Sequence, residues 1–517
     1  MTDKKTSSRW GFLRLAGTTI GAAIGGFALG AHRLEAAPQP VAPSQPTAPP
    51  QLTALPQPTV QPTATPQIEA TSGLPVYNAR SYGAVGDGVA DDTSAINAAI
   101  AAAAAAGGGV AHLPTGTYRV TPRPHPQDGS YAPCLVMRHG VILRGAGKEA
   151  TTVRLADNAA LPAGSDCIYL VLNATINGAL ASAARDGSMV VEDLTFDGAA
   201  ARQTAPTCGV FWINCRDVHH TRVRVRDVYG TGSNGGLAET FFYEFQLGAE
   251  ASYSFCEAVA TGDGSTASGF SADNATSVTY VGCSAYGMKV SNGFTHNTCA
   301  VLRYTDCYAH SNGMYGFNSE GAEDVRYSNC VAGARADSAG QGTFGASQPL
   351  GNTSAGFMIN GSRVVDLTGC AARYNNGHGL WLAKEPDSVR VTGGEYSNNG
   401  GWGIAAMSGA TNAAISHETR LAHNTAGALL AQADLNAATP FLYDSGWITA
   451  TSAALAVDHA LPSRPRTVTV YSSATPTPAD DALVSIHGGA GAVSASSRQV
   501  VVPGLTAGMA YRVVATY

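Results

Sequence analysis

The segment GFSADNATSVTYVGCSAYG, residues 269–287, and its counterpart GFNSEGAEDVRYSNCVAG, residues 316–333, decide the fold. In each, an aromatic residue is followed 13 positions later by a cysteine. The spacing occurs five times, at Tyr243/Cys256, Phe270/Cys283, Phe294/Cys307, Phe317/Cys330 and Phe357/Cys370. Successive cysteines lie 27, 24, 23 and 40 residues apart, so one part of the unit has fixed length and the other absorbs insertions. Both segments alternate apolar and polar residues and carry no helical period. A period in the low twenties with Gly and Asn punctuation is that of a solenoid, in which each unit buries its face only against its neighbours. The chain reads as all-β, a parallel β-helix.

Outward from these units the repeat continues in both directions. Leu194 in SMVVEDLTFDG (188–198) and Val223 extend the cysteine row backwards, and DSVRVTGGEYSNNGGWG and NAAISHETRLAHNTAG extend the coils forwards, giving at least nine coils over residues 131–436. Asn312, Asn375, Asn399 and His423 recur shortly before the next unit, a turn position that suits Asn. From residue 437 the repeat stops, and strand patterns separated by Pro and Gly predict a small C-terminal β-sandwich over 437–517. Residues 37–72, rich in Pro, Thr and Gln, form an extended spacer. Before it, Lys4, Lys5 and Arg9 precede an uncharged Gly/Ala-rich run from Leu15 to Ala31, which reads as an export signal or an N-terminal membrane anchor over 1–36. The expected location is extracellular or cell-surface. Charged residues make up only 13% of the 517 and the net charge is −6, which argues against nucleic acid as a partner. The ten cysteines fit a stack of buried thiols acting as small apolar side chains better than a disulfide framework.

VYNARSYGAVGDGVADDTSAINAAIAAAAAAGGGVAHLPTGTYRV, residues 76–120, closely resembles the N-terminal cap of the pectate-lyase-like superfamily, which includes rhamnogalacturonases, polygalacturonases, uronan epimerases and many phage tailspikes. GVILRGAGKEATTVRLA, residues 140–156, is similar to the first coil of that superfamily. The resemblance implies a right-handed parallel β-helix with an N-terminal helical cap over 73–130. In the cap, Asp87, Asp91 and Asp92 stand before a run of helix formers and read as turn and capping groups rather than catalysts. GFTHNTC (293–299) resembles in position the epimerase strand bearing an Asp-Pro-His-Asp motif, with His296 as the matching residue. NGHG (376–379) resembles the Gly-His-Gly of polygalacturonases. The superfamily implies a polysaccharide substrate of pectin or uronan type and lyase, hydrolase or epimerase chemistry. The competing class is a non-catalytic adhesin or carbohydrate-binding spike.

If the aromatic that opens each unit points inward, alternation along the strand places the next residue and the third outward. That phase nominates Glu244, Gln246, Asp273, Asn297, Asn318, Glu320, Asn360 and Trp381 as the outer, groove-facing residues. Glycoside cleavage requires two carboxyl groups at set separations. With coils ~4.8 Å apart, Glu244 with Asp273, or Asp273 with Glu320, meets that requirement. A lyase or epimerase instead needs a base beside a uronate carboxylate, for which His296 is the candidate. The predicted catalytic set is therefore Asp273, Glu320, Glu244 and His296. Gln246, Asn297, Asn318, Asn360 and Trp381 are the predicted substrate-binding residues. No cofactor is required by this reading, although calcium could be held by Glu244 and Asp273.

Overall fold

The computed structural model describes residues 73–431, apart from 177–185, 231–239, 246–249, 262–267, 335–350, 385–386, 408–412 and 417, together with strands and short segments within 442–516. The expected leader and spacer, most of the insertions between units at 229–240 and 333–355, and Gln246 lie outside the described residues. Among those described, no helix is long and apolar enough to cross a membrane.

The cap contains one α-helix, α1 (Thr93–Ala105), whose Ile96, Ala99, Ile100 and Ala103 are buried. Their three- and four-residue spacing lays one face on the first coil. The acidic cluster serves the backbone. Asp91 accepts from the Thr93 N–H at 3.1 Å, Asp92 from Val85 and Gly86 at 2.7 and 3.1 Å, and Asp87 from Val89 and Ala90 at 2.8 and 2.9 Å. Gly107, Gly108 and Gly109, all with positive φ, end the helix.

Beyond the cap, eleven parallel strands form one face of the solenoid, one per coil. They are β1 (Tyr131–Met137), β2 (Cys167–Asn173), β3 (Thr207–Ile213), β4 (Thr240–Phe245), β5 (Ser268–Asp273), β6 (Phe294–Asn297), β7 (Phe317–Glu320), β8 (Phe357–Asn360), β9 (Leu380–Lys384), β10 (Trp402–Ala406) and β11 (Gly427–Ala431). A 22-stranded parallel sheet makes the remaining faces. The fixed part of each unit has a local cause. The residue before each cysteine, Phe255, Gly282, Asp306, Asn329 or Gly369, adopts a left-handed conformation with φ of 52° to 62°. The chain turns there from one strand into the next, and the small thiol that follows fills the inside of the corner. All ten cysteines are buried and unbridged.

Within the coils, Phe242, Phe270, Phe294, Phe317 and Phe357 stack with centroids 4.6 to 4.9 Å apart. Tyr253, Tyr280, Tyr304 and Tyr327 form a second stack at 4.6 to 5.1 Å, edge-on to the first. Offset stacks and edge contacts are the favoured aromatic geometries, so one ring per coil repeats without strain. An asparagine ladder runs beside them. Asn312, Asn352, Asn375, Asn399 and Asn424 are joined by four side-chain rungs at 2.8 to 3.0 Å, each amide N–H donating to the side-chain oxygen of the next asparagine. His423, expected at this position, instead occupies the left-handed residue before it, at φ 53°. The C-terminal residues contribute antiparallel sheets of four and three strands, with Val470 and Val513 of one and Val502 of the other buried.

Candidate active site

Coil-to-coil pairing corrects the side-chain phase at one strand. Phe242, not Tyr243, lies opposite Phe270, so Tyr243 pairs with Ser271, Glu244 with Ala272 and Phe245 with Asp273. The adjacent aromatics Phe242 and Tyr243 cannot both face inward, and stacking on Phe270 at 4.6 Å selects Phe242. Glu244 therefore lies inside the solenoid, fully buried, where its carboxyl accepts from the Tyr253 hydroxyl. Burial pushes it up to about 8. It is not a groove residue, and it cannot share a calcium ion with the outward Asp273.

His296 is likewise interior. It pairs with Ala272 and Ser319, is fully buried, and lies within hydrogen-bond reach of Tyr280 Oη at 3.0 Å and of Tyr304 Oη. Burial lowers it to about 3, so it is a neutral core histidine and has no access to a substrate. His378 is half-buried, and its Nδ1 accepts from the Trp402 N–H at 3.0 Å, which makes it a coil-to-coil link.

The other predicted residues do come together on the outer face. Asp273, Asn297, Glu320 and Asn360 stand opposite one another on β5, β6, β7 and β8. Ser271, Thr295, Asn318, Met358 and Trp381 form the parallel outer row. Asp273 is 8% exposed and is held from two sides: the Tyr243 hydroxyl donates to one oxygen and the Asn297 amide to the other, at 2.9 Å. Burial raises its carboxyl above the ordinary range, the two hydrogen bonds oppose that rise, and the charge of Glu320 adds to it. Glu320 accepts from the Asn318 amide at 3.3 Å. Two strand spacings separate Asp273 from Glu320, roughly 10 Å.

Two groups escape the sequence reading. Tyr243, expected as an inward ring, is an outward phenol on Asp273. Its neighbours upstream, Tyr169 and Phe211, stack on the same face at 5.1 Å, and Phe211 lies 4.9 Å from Tyr243. These rings are buried, Asp273 next to them is nearly so, and the partly exposed polar positions follow downstream at Asn297, Glu320 and Asn360. Lys384 is the second. A bulge between β8 and β9 brings it opposite Asn360, where it is exposed. The doublet Phe242–Tyr243 was the available signal for the first; nothing in the local sequence announces the bulge.

A parallel β-helix with a row of carboxyl and amide groups along one outer face defines a scaffold for an extended polar ligand. The chain belongs to the family described as rhamnogalacturonase A/epimerase, pectate lyase-like, whose profile matches residues 76–342, and a right-handed β-helix profile matches residues 268–419. It is similar to mannuronan C5-epimerase AlgE4 of Azotobacter vinelandii, 37% identical over 167 residues, covering 30% of this chain and 27% of that protein. Alginate lyase 7 of the same organism is 43% identical over 81 residues, 16% of this chain and 9% of that protein. The chain thus spans about a quarter or less of these relatives' lengths. Among solved structures, the AlgE4 A-module aligns at 22% identity with a TM-score of 0.46, over 71% of this chain and 98% of that one.

Proposed function

We propose that the protein is an exported enzyme that modifies a uronan polysaccharide lying along β5–β9, by chemistry that begins with removal of the proton beside the uronate carboxylate. The observation that carries this reading is the Tyr243–Asp273 pair at the upstream end of the polar row. Proton abstraction is most effective when the base titrates near the working pH, and burial moves the Asp273 carboxyl in that direction. Tyr243 is buried and donates its hydroxyl to Asp273, which holds the base in place. Once the proton has left C5, departure of O4, protonated by solvent, gives an unsaturated end, and return of a proton to the opposite face gives the C5 epimer. The names of the relatives, epimerase and lyase, describe the two outcomes of the same first step.

Asn297, Asn318 and Asn360 supply amides, and Trp381 a ring, for binding the polymer. A second reading, inverting hydrolysis with Asp273 as acid and Glu320 as base, draws on their strand separation of roughly 10 Å, just beyond the range of about 6.5 to 9.5 Å between carboxyl groups for that mechanism. A purely binding role for the groove is the competing class.

The test is incubation of the full chain with polymannuronate, polygalacturonate and a neutral glycan in deuterated water. Deuterium at C5 or a new C5 epimer in the proton spectrum, or ultraviolet absorbance of unsaturated ends, supports the proposal. New reducing ends without either supports hydrolysis. Binding with no product in any arm overturns the enzyme reading in favour of an adhesin.

A further inference from the structure

The strand pair β8–β9 carries a feature that the carboxylate pair does not use. Of all the residues in the eleven strands of the groove sheet, Lys384 is the one lysine or arginine. It is exposed, and among the described residues it makes no ion pair with any carboxylate, whereas most arginines of the other faces do. Its place depends on the bulge: Ile359 pairs with Leu382 and Asn360 with Lys384, so Ala383 is the extra residue that returns the lysine to the polar row. Bulges commonly re-aim a side chain beside a site.

On the same strand, Trp381 lies in the outer row with Met358 and meets the Tyr315 ring at 6.1 Å. Its indole Nε1 is buried and, among the described residues, donates to no partner. An indole N–H in that state is costly unless something accepts from it. On β7, the strand directly before this shelf, the side-chain oxygen of Asn318 is also buried and has no hydrogen-bond partner among the described residues. An apolar ring, a donor and a cation, the last two without a partner among the described residues, therefore lie together, about two strand spacings, roughly 10 Å, beyond Glu320.

We infer that β8 and β9 form a subsite for a uronate residue downstream of the Asp273–Glu320 pair, with Lys384 binding its carboxylate and Trp381 its ring. The inference rests on the uronan reading and adds to it a residue that distinguishes an acidic sugar from a neutral one. A lysine facing the groove floor attracts a carboxylate as a point charge, and the ring offers the apolar sugar face a platform.

The experiment measures dissociation constants by calorimetry for two probes, polymannuronate oligomers and the same oligomers with their carboxylates reduced to alcohols. Wild type should bind the acidic probe more tightly. Lys384→Gln should weaken the acidic probe about tenfold and leave the reduced probe unchanged, while Lys384→Arg keeps most of the affinity. Trp381→Phe should weaken both probes. Arg390→Gln, an equal loss of charge at an exposed position on the other sheet, controls for long-range attraction and should change neither. If Lys384→Gln behaves like Arg390→Gln while wild type still prefers the acidic probe, the subsite is refuted and the uronan reading stands. If wild type binds neither probe, the uronan reading itself has failed.

Discussion

Replacing Glu244 by Gln should make the protein more resistant to alkali. The carboxyl is fully buried, one oxygen accepts from Tyr253 and the other, Oε2, has no partner among the described residues. Burial raises it from 4.5 to about 8, so the native state holds the proton over a range in which the unfolded chain has released it. An acid raised in this way contributes fully below pH 4.5, and its contribution is lost as the pH rises from 4.5 through about 8. A tenfold change in acid strength corresponds to about 1.4 kcal/mol, which makes the loss across that window on the order of 4 to 5 kcal/mol. Gln keeps the acceptor for Tyr253 and, like the protonated acid, leaves a donor unpaired, so the two proteins should be nearly equal near pH 4.5. Above pH 8 the variant should be the more stable by most of that amount. The neutral interior histidines, His220 and His296, are lowered to about 3 and hold their stability above 6.5, losing it as the pH falls. They are common to both proteins and cancel in the difference. Denaturant midpoints followed by circular dichroism from pH 4.5 to 9 would measure it. Parallel curves for wild type and variant would show that Glu244 is not held neutral in the interior.

Asp273→Asn should lower turnover on the responsive uronan by about 10²- to 10⁴-fold, the usual contribution of a positioned base. Tyr243→Phe removes a hydrogen bond that lowers the Asp273 carboxyl, so the acid limb of the rate profile should move to higher pH, and an unmoved limb would count against Asp273 as the base. Asn375→Ala deletes bonds to Asn399 and Ala332 and strands one side-chain N–H of Asn352, whose other N–H keeps the Ala309 carbonyl. At about 1–3 kcal/mol per orphaned buried group, it should lower stability by roughly 3 kcal/mol or more, read as a fall in denaturant midpoint. The ten thiols should resist iodoacetamide in the native protein and react together on unfolding, because burial closes access to all of them and also raises Cys134, Cys283, Cys299, Cys307, Cys330 and Cys370. Rapid labelling of native Cys283 or Cys307 would contradict the ladder.

The sequence by itself determined the coil. In four of the five units an inward ring 13 residues ahead of a cysteine, with Gly, Asp or Asn at the corner before the thiol, repeats because each coil must match the one it lies on. That requirement writes interior positions into the chain at regular spacing. Asp273, Asn297, Asn318 and Glu320 were legible for the same reason, since the coils that carry them keep the phase strictly. Tertiary structure decided the rest. At β4 two adjacent aromatics offer two phases one residue apart, and a slip of one residue exchanges the inner and outer faces. Only stacking of Phe242 on Phe270 resolves it, placing Glu244 in the core and Tyr243 on the carboxylate. His296 carried a motif-like position, yet the coils on either side seal it between tyrosines. Lys384 reaches the polar row through a bulge defined by its pairing with β8, a relation between strands that neither strand's sequence contains.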